Sequence, residues 1–452
     1  MVGPHNGDGA YRQNLIKVIY VGLCFMMLFT AYQSAQNLVS QIYEQLQYTG
    51  LGGICIFSIY GALGIGNIFA PHVKRQMNHK AGMLIGSFFY TLFIAIGTLA
   101  TYCHKYLSDG FYCQKSSIYG LNVLSSILLG LSGSCLWLSQ GDYVNCCANE
   151  KTKGFFNGVF WSIMQVCQII GSVVATFVLG NTDQFTFYKM LLCFGCLACV
   201  MFVFLPSVQE QDSQTEKKQE SLSESVSKFF YTLRLKSSYF IFACFFLAGI
   251  VVALYVAFLP SIMKRIFPTE DDQYVNLRSG YVLVALACGE VMAGIVMGKL
   301  ADIYNKIQLV NTIIMIGEAA LILTFVAYIY KIYALTVLSW FIWGFTDNSF
   351  QTIMTSLIGS HFKGKLEYFA IFRFLQGLGV VFGSVVTIVI PEALTCVVVI
   401  AATLLFLHVQ FYLTKPKDSA EEEKLLSTNE LSLAFKKGAK SLATPSGEIE
   451  MF

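Results

Sequence analysis

Charge is what this chain most lacks. Asp, Glu, Lys and Arg supply only 13% of its 452 residues, about half the share usual in a soluble globular protein. That deficit excludes a water-facing surface along most of the chain and makes lipid the expected solvent. The net charge of +3 is too small to suggest a nucleic-acid partner, and no basic tract is interleaved with aromatics as an RNA or DNA groove requires. No N-x-S/T sequon occurs, so glycosylation says nothing of topology or compartment. The 14 cysteines show no zinc-site spacing, and no nucleophile–base or metal constellation stands at a membrane boundary. The chain is therefore not expected to be an enzyme, to hold a metal or to need a cofactor.

Apolar residues fill the gap, at 55% of the chain with a mean hydropathy of +0.60. A spanning helix needs ~20 mostly apolar residues. Twelve such runs occur, at about 14–39, 50–73, 81–102, 118–142, 154–180, 186–206, 237–262, 279–301, 308–330, 333–358, 366–390 and 392–414. The first is too long for a signal peptide and lacks a clear cleavage site, so it reads as a span. The fold class expected is an all-α membrane protein in a lipid bilayer, with twelve transmembrane helices. Its domains are an N-terminal six-helix bundle (1–206), a cytosolic linker loop (207–236), a C-terminal six-helix bundle (237–414) and a disordered cytosolic tail (415–452). Within the linker, Val226 to Lys236 has the mixed spacing of a short interfacial helix.

Basic residues set the orientation. With the N-terminus in the cytosol, 22 of the 30 Lys and Arg fall inside, seven fall outside and Arg373 lies within a span. That asymmetry favours both termini in the cytosol. A repeat relates the halves. Residues 160–174 and 372–386 share an aligned Phe and the GSVV at 171–174 and 383–386, and Trp137 to Asp142 resembles Trp343 to Asp347. Pseudo-symmetry of this kind is expected of two-half transporter folds.

Five ionisable residues sit within spans: Asp142, Glu290, Glu318, Asp347 and Arg373. Such groups cost a few kcal/mol in lipid and normally face a partner or a wet cavity. At 1.5 Å per residue, Glu290, Glu318 and Asp347 lie roughly 15–18 Å from the cytosolic helix ends, and Arg373 roughly 10 Å. Asp347 and Arg373 can form a buried pair between spans ten and eleven. Two readings fit the pair: a substrate or proton site, or an ion pair that fixes helix packing. Glu290 carries the same two readings, whereas Asp142 lies near the inner end of span four, where water can solvate it. Glycines on spans two (Gly61, Gly64, Gly66), eight (Gly289, Gly294, Gly298) and eleven (Gly377, Gly379, Gly383) permit close helix approach. Cys103 and Cys113 bracket a loop placed outside the cytosol, where a disulfide or two free thiols fit equally. At the inner end of span eight, Gly298 and Asp302 frame a short basic loop, and the acid can bond the next helix's N-terminus as a cytosolic gate latch. Glu421, Leu425 and Leu426 have the spacing of an acidic dileucine sorting motif, which points to endosomal or lysosomal routing as an alternative to the plasma membrane.

Gly298 to Asp302 resembles the loop signature of the major facilitator superfamily. In the first half, Pro71-His72-Val73-Lys74-Arg75 keeps the basic residues and lacks the acid. The chain as a whole resembles the UNC-ninety-three-like family, whose namesake was described as an ion channel regulatory protein. Four segments carry the likeness: Tyr60 to Pro71, Leu136 to Tyr143, Gly158 to Gly171, and Trp343 to Ser349 with Phe369 to Gln376 after it. Within the family it looks closer to the major-facilitator-domain-containing members. The resemblance implies two six-helix bundles around a central cavity lined by spans one, two, four, five, seven, eight, ten and eleven. Glu318, on peripheral span nine, then ranks below Glu290, Asp347 and Arg373, and Gln36, Asn37 and Asn67 line the first half. It also implies a choice of function: an accessory or trafficking subunit for a channel or receptor partner, or a secondary transporter of a small solute, coupled to protons through Asp347 or Glu290.

Overall fold

The computed structural model describes residues 5–106, 110–208, 221–235, 238–389, and 401–413 apart from 404, 407 and 410. Among them every regular element is helical, the outcome lipid imposes, because a helix satisfies its backbone polar groups within itself. The helices are α1 (His5–Gln45), α2 (Leu51–Gln76), α3 (His79–Tyr106), α4 (Lys115–Cys147), α5 (Lys153–Asn181), α6 (Gln184–Val203), α7 (Leu222–Leu233), α8 (Tyr239–Ile266), α9 (Asp272–Ile303), α10 (Lys306–Tyr330), α11 (Tyr333–Ser360) and α12 (Leu366–Val389). A short 3₁₀ turn, Phe111–Cys113, precedes α4.

Among the described residues, nine helices are long and apolar enough to cross a membrane: α1 to α6, α9, α10 and α12. Helix α8 supplies a shorter apolar stretch, Tyr239–Ala253. Helix α11 falls short through polarity and not length. It carries Asp347, Asn348, Gln351 and a run of Ser and Thr, and every residue from Thr346 to Gly359 is buried. Its solvent is the protein itself. Of the run expected at 392–414, only residues 401–413 fall partly within the described set, and the tail with Glu421, Leu425 and Leu426 lies outside it.

Packing follows one scheme twice. Helix α1 packs on α5, α2 on α4, and α3 on α4; later, α8 packs on α12, α9 on α11, and α10 on α11. Two hydrophobic cores accompany these sets, one around Phe25, Phe160 and Phe202, the other around Phe245, Trp343 and Phe372. Contacts across the sets run along two seams, α5 against α9 and α2 against α12.

Helix α7 starts at Leu222, four residues before the sequence pattern placed it. The apolar periodicity missed its polar first turn, which a capping box closes: Ser221 Oγ accepts from Glu224 N at 3.2 Å and Glu224 accepts from Ser221 N at 2.9 Å. It lies across α2 and α12, with Phe229 fully buried and edge-on to Phe374 at 5.7 Å. At the far end of the molecule, Cys103 and Cys113 are joined in a disulfide with Cα atoms 5.3 Å apart. Nearby, Asp183 caps α6 by accepting from Thr186 N at 2.7 Å and pairs with Lys105. The Lys105 hydrogen bond holds the Asp183 carboxyl down at about 2. A depressed carboxyl contributes at neutral pH and loses its contribution only as pH falls toward that value, so this cap persists in mild acid.

Candidate functional site

A partly open central cavity of about 130 Å³ lies between the two helix sets. Helical spacing explains which residues reach it. Phe29, Tyr32, Gln33 and Gln36 form one stripe of α1; Arg373, Gln376, Gly377 and Val380 form the same i, i+3, i+4, i+7 stripe of α12. Asp347 and Gln351 stand one turn apart on α11, and Trp161, Met164 and Gln165 share a face of α5. Tyr60, Tyr90 and Trp137 complete the aromatic wall.

Arg373 organises the floor. It is only 8% exposed. Its Nη1 donates to Gln351 Oε1 at 3.0 Å and to Gln376 Oε1 at 2.7 Å. Its guanidinium lies 4.4 Å from the Trp137 ring centroid and 5.4 Å from that of Trp161, and these two rings stack at 5.6 Å. Hydrogen bonds to a charged group contribute about 1.5–3 kcal/mol each, and a desolvated cation–π contact about 2 kcal/mol. Together they offset the few kcal/mol that a charge at this depth costs. The link to Asp347 runs through an amide, with Gln351 Nε2 donating to Asp347 Oδ1 at 3.3 Å. Gln36 Nε2 donates to Tyr60 Oη at 2.9 Å, and Cys167 Sγ donates to Gln33 Oε1 at 3.1 Å.

Glu290 stands behind this floor. It is fully buried, and neither carboxylate oxygen has a hydrogen-bond partner among the described residues. Asp347 and Cys167 are its electrostatic neighbours, which places it beside the α5–α9 seam. Asn348 Nδ2 fixes the local register by donating to the Glu290 carbonyl at 2.5 Å.

One end of the cavity is shut. Along the α5–α9 seam, a Cβ added to Gly158 would lie 2.8 Å from Gly298 Cα, and one added to Gly154 would lie 2.6 Å from the Gly298 carbonyl oxygen. Just beyond, the Asp302 carboxylate accepts from Gly154 N at 2.7 Å and Phe155 N at 2.8 Å, a charge placed on the N-terminus of α5. The sequence pointed Asp302 at the next helix, α10. That terminus is already taken, because Asn305 accepts from Ile307 N at 2.8 Å, and the acid reaches across the molecule instead. Lys153 Nζ donates to the Gly359 carbonyl at 2.6 Å. On the α2–α12 seam, Arg75 pairs with Glu367 and donates to Ser225 Oγ of α7 at 3.1 Å.

The family profile described as "Ion channel regulatory protein UNC-93" matches residues 44–335. The chain belongs to this family. Among curated relatives of this UNC-93 chain, UNC93-like protein MFSD11 of Xenopus laevis is 22% identical over 415 residues, covering 81% of this chain and 88% of that one. Protein unc-93 homolog A of Homo sapiens is 24% identical over 422 residues, covering 82% and 86%. Among solved structures, the proton:xylose symporter XylE superposes with a TM-score of 0.68 at 12% identity, covering 93% of this chain and all of that one. A bacterial homologue of the iron transporter ferroportin in the outward-facing state gives 0.67 at 12% identity, covering 88% and 99%. These likenesses show a multi-pass membrane protein of the UNC-93 family with the major facilitator fold.

Of the residues singled out in the sequence, Asp347, Arg373 and Gln36 line the cavity. Asn37 does not. It is exposed, one position further round α1. Asn67 is buried a full turn beyond the last α2 residue in the lining, with Nδ2 bonded to the Leu63 carbonyl at 2.8 Å. Asp142 is not simply solvated: Lys74 Nζ and His79 Nε2 both reach its Oδ2, at 3.1 and 2.9 Å. Cys146 stands close enough to complete a three-ligand cluster with His79 and Asp142, but the Lys74 ammonium already occupies the carboxylate a cation would need. Glu318 faces outward, with Oε1 2.7 Å from His408 Nδ1, while His408 Nε2 lies 3.2 Å from Asn311 Oδ1. Searching for ionisable residues alone missed Gln33, Gln165, Gln351 and Gln376. Their spacing of three or four residues from Gln36, Trp161, Asp347 and Arg373 was the available signal.

Proposed function

We propose that this UNC-93 family protein binds a small solute in the central cavity and moves it by alternating access. The observation that carries the reading is the convergence of Arg373, Asp347 and five glutamines on one partly open cavity walled by aromatic rings. Ligand sites combine apolar walls with a few convergent polar groups in this way. The architecture proposed is twelve spans in two pseudo-symmetric six-helix halves, 1–206 and 237–414, with 207–236 as a cytosolic linker and both termini inside. The repeated packing scheme of α1–α5 and α8–α12 supports it. The seam contacts of Asp302, Lys153 and Arg75 then form the closed cytosolic gate, and the cavity faces the opposite side. Asp347 is assigned as the proton-coupling group, with Glu290 behind it to pass the proton toward the α5–α9 seam as that seam opens.

Flux into proteoliposomes under an imposed proton gradient tests the proposal. Saturable uptake lost in Asp347→Asn and Arg373→Ala is the expected result. Uptake that either variant leaves unchanged would remove these residues from the mechanism.

A second reading has its own support. The family description concerns ion channel regulation, and Glu318 at the middle of α10, paired with His408, keeps 31% of its side chain exposed on the outer side. Polar groups at that depth suit a partner helix that can hydrogen-bond them. On this reading the protein escorts a channel or receptor in the plasma or endolysosomal membrane. Co-purification of a membrane partner that Glu318→Leu abolishes, without solute flux, is its expected signature.

A further inference from the structure

The hydrogen-bonding capacity of the cavity is lopsided. Arginine only donates, so its bonds to Gln351 and Gln376 fix both amides with oxygen toward Arg373 and nitrogen away. The Gln351 nitrogen goes to Asp347, while the Gln376 nitrogen has no partner among the described residues. The Gln33 oxygen is taken by Cys167, which leaves its nitrogen as a second open donor. Trp161 Nε1 is buried with no partner. Arg373 commits only Nη1 to hydrogen bonds, so Nε and Nη2 remain as an open edge. Against these donors stand the oxygens of two glutamines, Gln165 Oε1, which lacks a partner, and Gln36 Oε1, whose own nitrogen is spent on Tyr60. Whatever fills the cavity must bring acceptor oxygens, and it must bring an apolar body to lie on Trp137, Tyr32 and Tyr90.

We infer that the cavity takes a small solute bearing a carboxylate on an aromatic or apolar body, with the carboxylate on the open edge of Arg373. A guanidinium edge matches a carboxylate with two parallel hydrogen bonds, which neither a hydroxyl nor an amine reproduces. The intervening Gln351 is central to this assignment. It accepts from Nη1 and turns its own nitrogen toward Asp347, which leaves the Nε–Nη2 edge of Arg373 facing the cavity. This inference rests on the reading of the cavity as a solute site, and it names the class of solute.

Four probes sharing a phenyl ring test it on the full-length protein in detergent: phenylacetate, phenylalanine, phenethylamine and 2-phenylethanol. Binding is read from tryptophan fluorescence and from the shift of the melting transition. Phenylacetate and phenylalanine are expected to bind about tenfold or more tightly than the other two, the margin that a charge-assisted pair supplies. Arg373→Gln should erase that margin. Trp161→Phe keeps the ring and removes one donor. It should weaken both carboxylates severalfold, and it serves where Arg373→Gln lacks a melting transition. Equal or tighter binding of phenethylamine or 2-phenylethanol overturns the inference, as does a ranking that Arg373→Gln leaves intact. Failure of all four probes on protein with a normal melting transition also overturns it. A carboxylate ranking without flux keeps the inference and sinks the transport reading. Flux of a neutral solute with no carboxylate preference does the reverse.

Discussion

The two seams between the helix sets occupy equivalent places in the repeat and are built from different materials. Along α5–α9, backbone meets backbone: Gly154 and Gly158 pack on Gly294 and Gly298 with no room for a Cβ. Along α2–α12, the glycines face open space. A Cβ on Gly61 would meet no atom within 4 Å, and those on Gly64 and Gly377 would find their nearest neighbour at 4.0 Å. The closed seam is latched by Asp302 on the N-terminus of α5. The open seam is latched by side chains, Arg75 to Glu367 and Ser225, with α7 laid over it. The lesson concerns the missing acid of the first-half loop. That loop has no counterpart of Asp302, and in its place Arg75 takes Glu367 from the first turn of α12. One seam closes by shape plus a helix dipole and the other by an ion pair.

Four measurements break or sharpen this contrast. Gly158→Val should have the largest effect, because two backbones would have to separate. Overpacking of this kind costs about 1–3 kcal/mol, and a melting curve in detergent that matches wild type would refute the shape-closed seam. Asp302→Asn keeps the size of the side chain and removes its charge, for a loss of up to ~2 kcal/mol. Its specific mark is faster hydrogen exchange at the amides of Gly154 and Phe155; unchanged exchange there would mean the latch lies elsewhere. A double-mutant cycle on Arg75→Ala and Glu367→Gln is expected to return a coupling of about 0.2–1 kcal/mol, since Arg75 is partly exposed. A coupling above that of the Asp302 latch would invert the ranking of the seams. Gly61→Ala should be silent within ~0.5 kcal/mol, and clear destabilisation would show that the α2–α12 seam also closes on glycine.

The sequence and the structure part company at instructive places. Apolar runs located α1 to α6 and α8 to α12, α11 included. They gave no sign that the polar residues of α11 are surrounded by protein. The difference between Gly158 and Gly61 was not legible at all. Both are small residues on an apolar helix, and only the partner across the seam decides whether that smallness is used. Arg373 and Asp347, singled out by their charge, both line the cavity. Their connection through Gln351 was hidden, because an amide one turn from a carboxylate resembles ordinary polar filler until the arginine from another helix is seen to arrive. Asn37 and Asn67 failed for a simpler reason: a helix turns 100° per residue, so a polar residue beside a lining position, or a turn beyond it, faces elsewhere.

The polarity of α11 bears on how the protein is made. An Asp at the centre of a lone helix opposes insertion by ~2.5–3.5 kcal/mol, and Asn348, Gln351 and the adjacent Ser and Thr residues add to the burden. Leaving the ribosome, this segment has poor reason to partition into lipid by itself. Helices α9 and α10 precede it in the chain and pack directly on it, so they are in place to receive it, whereas Arg373 on α12 is synthesised only afterwards. The polar floor of the cavity is thus assembled late, from a helix that the bilayer accepts only in the company of its neighbours.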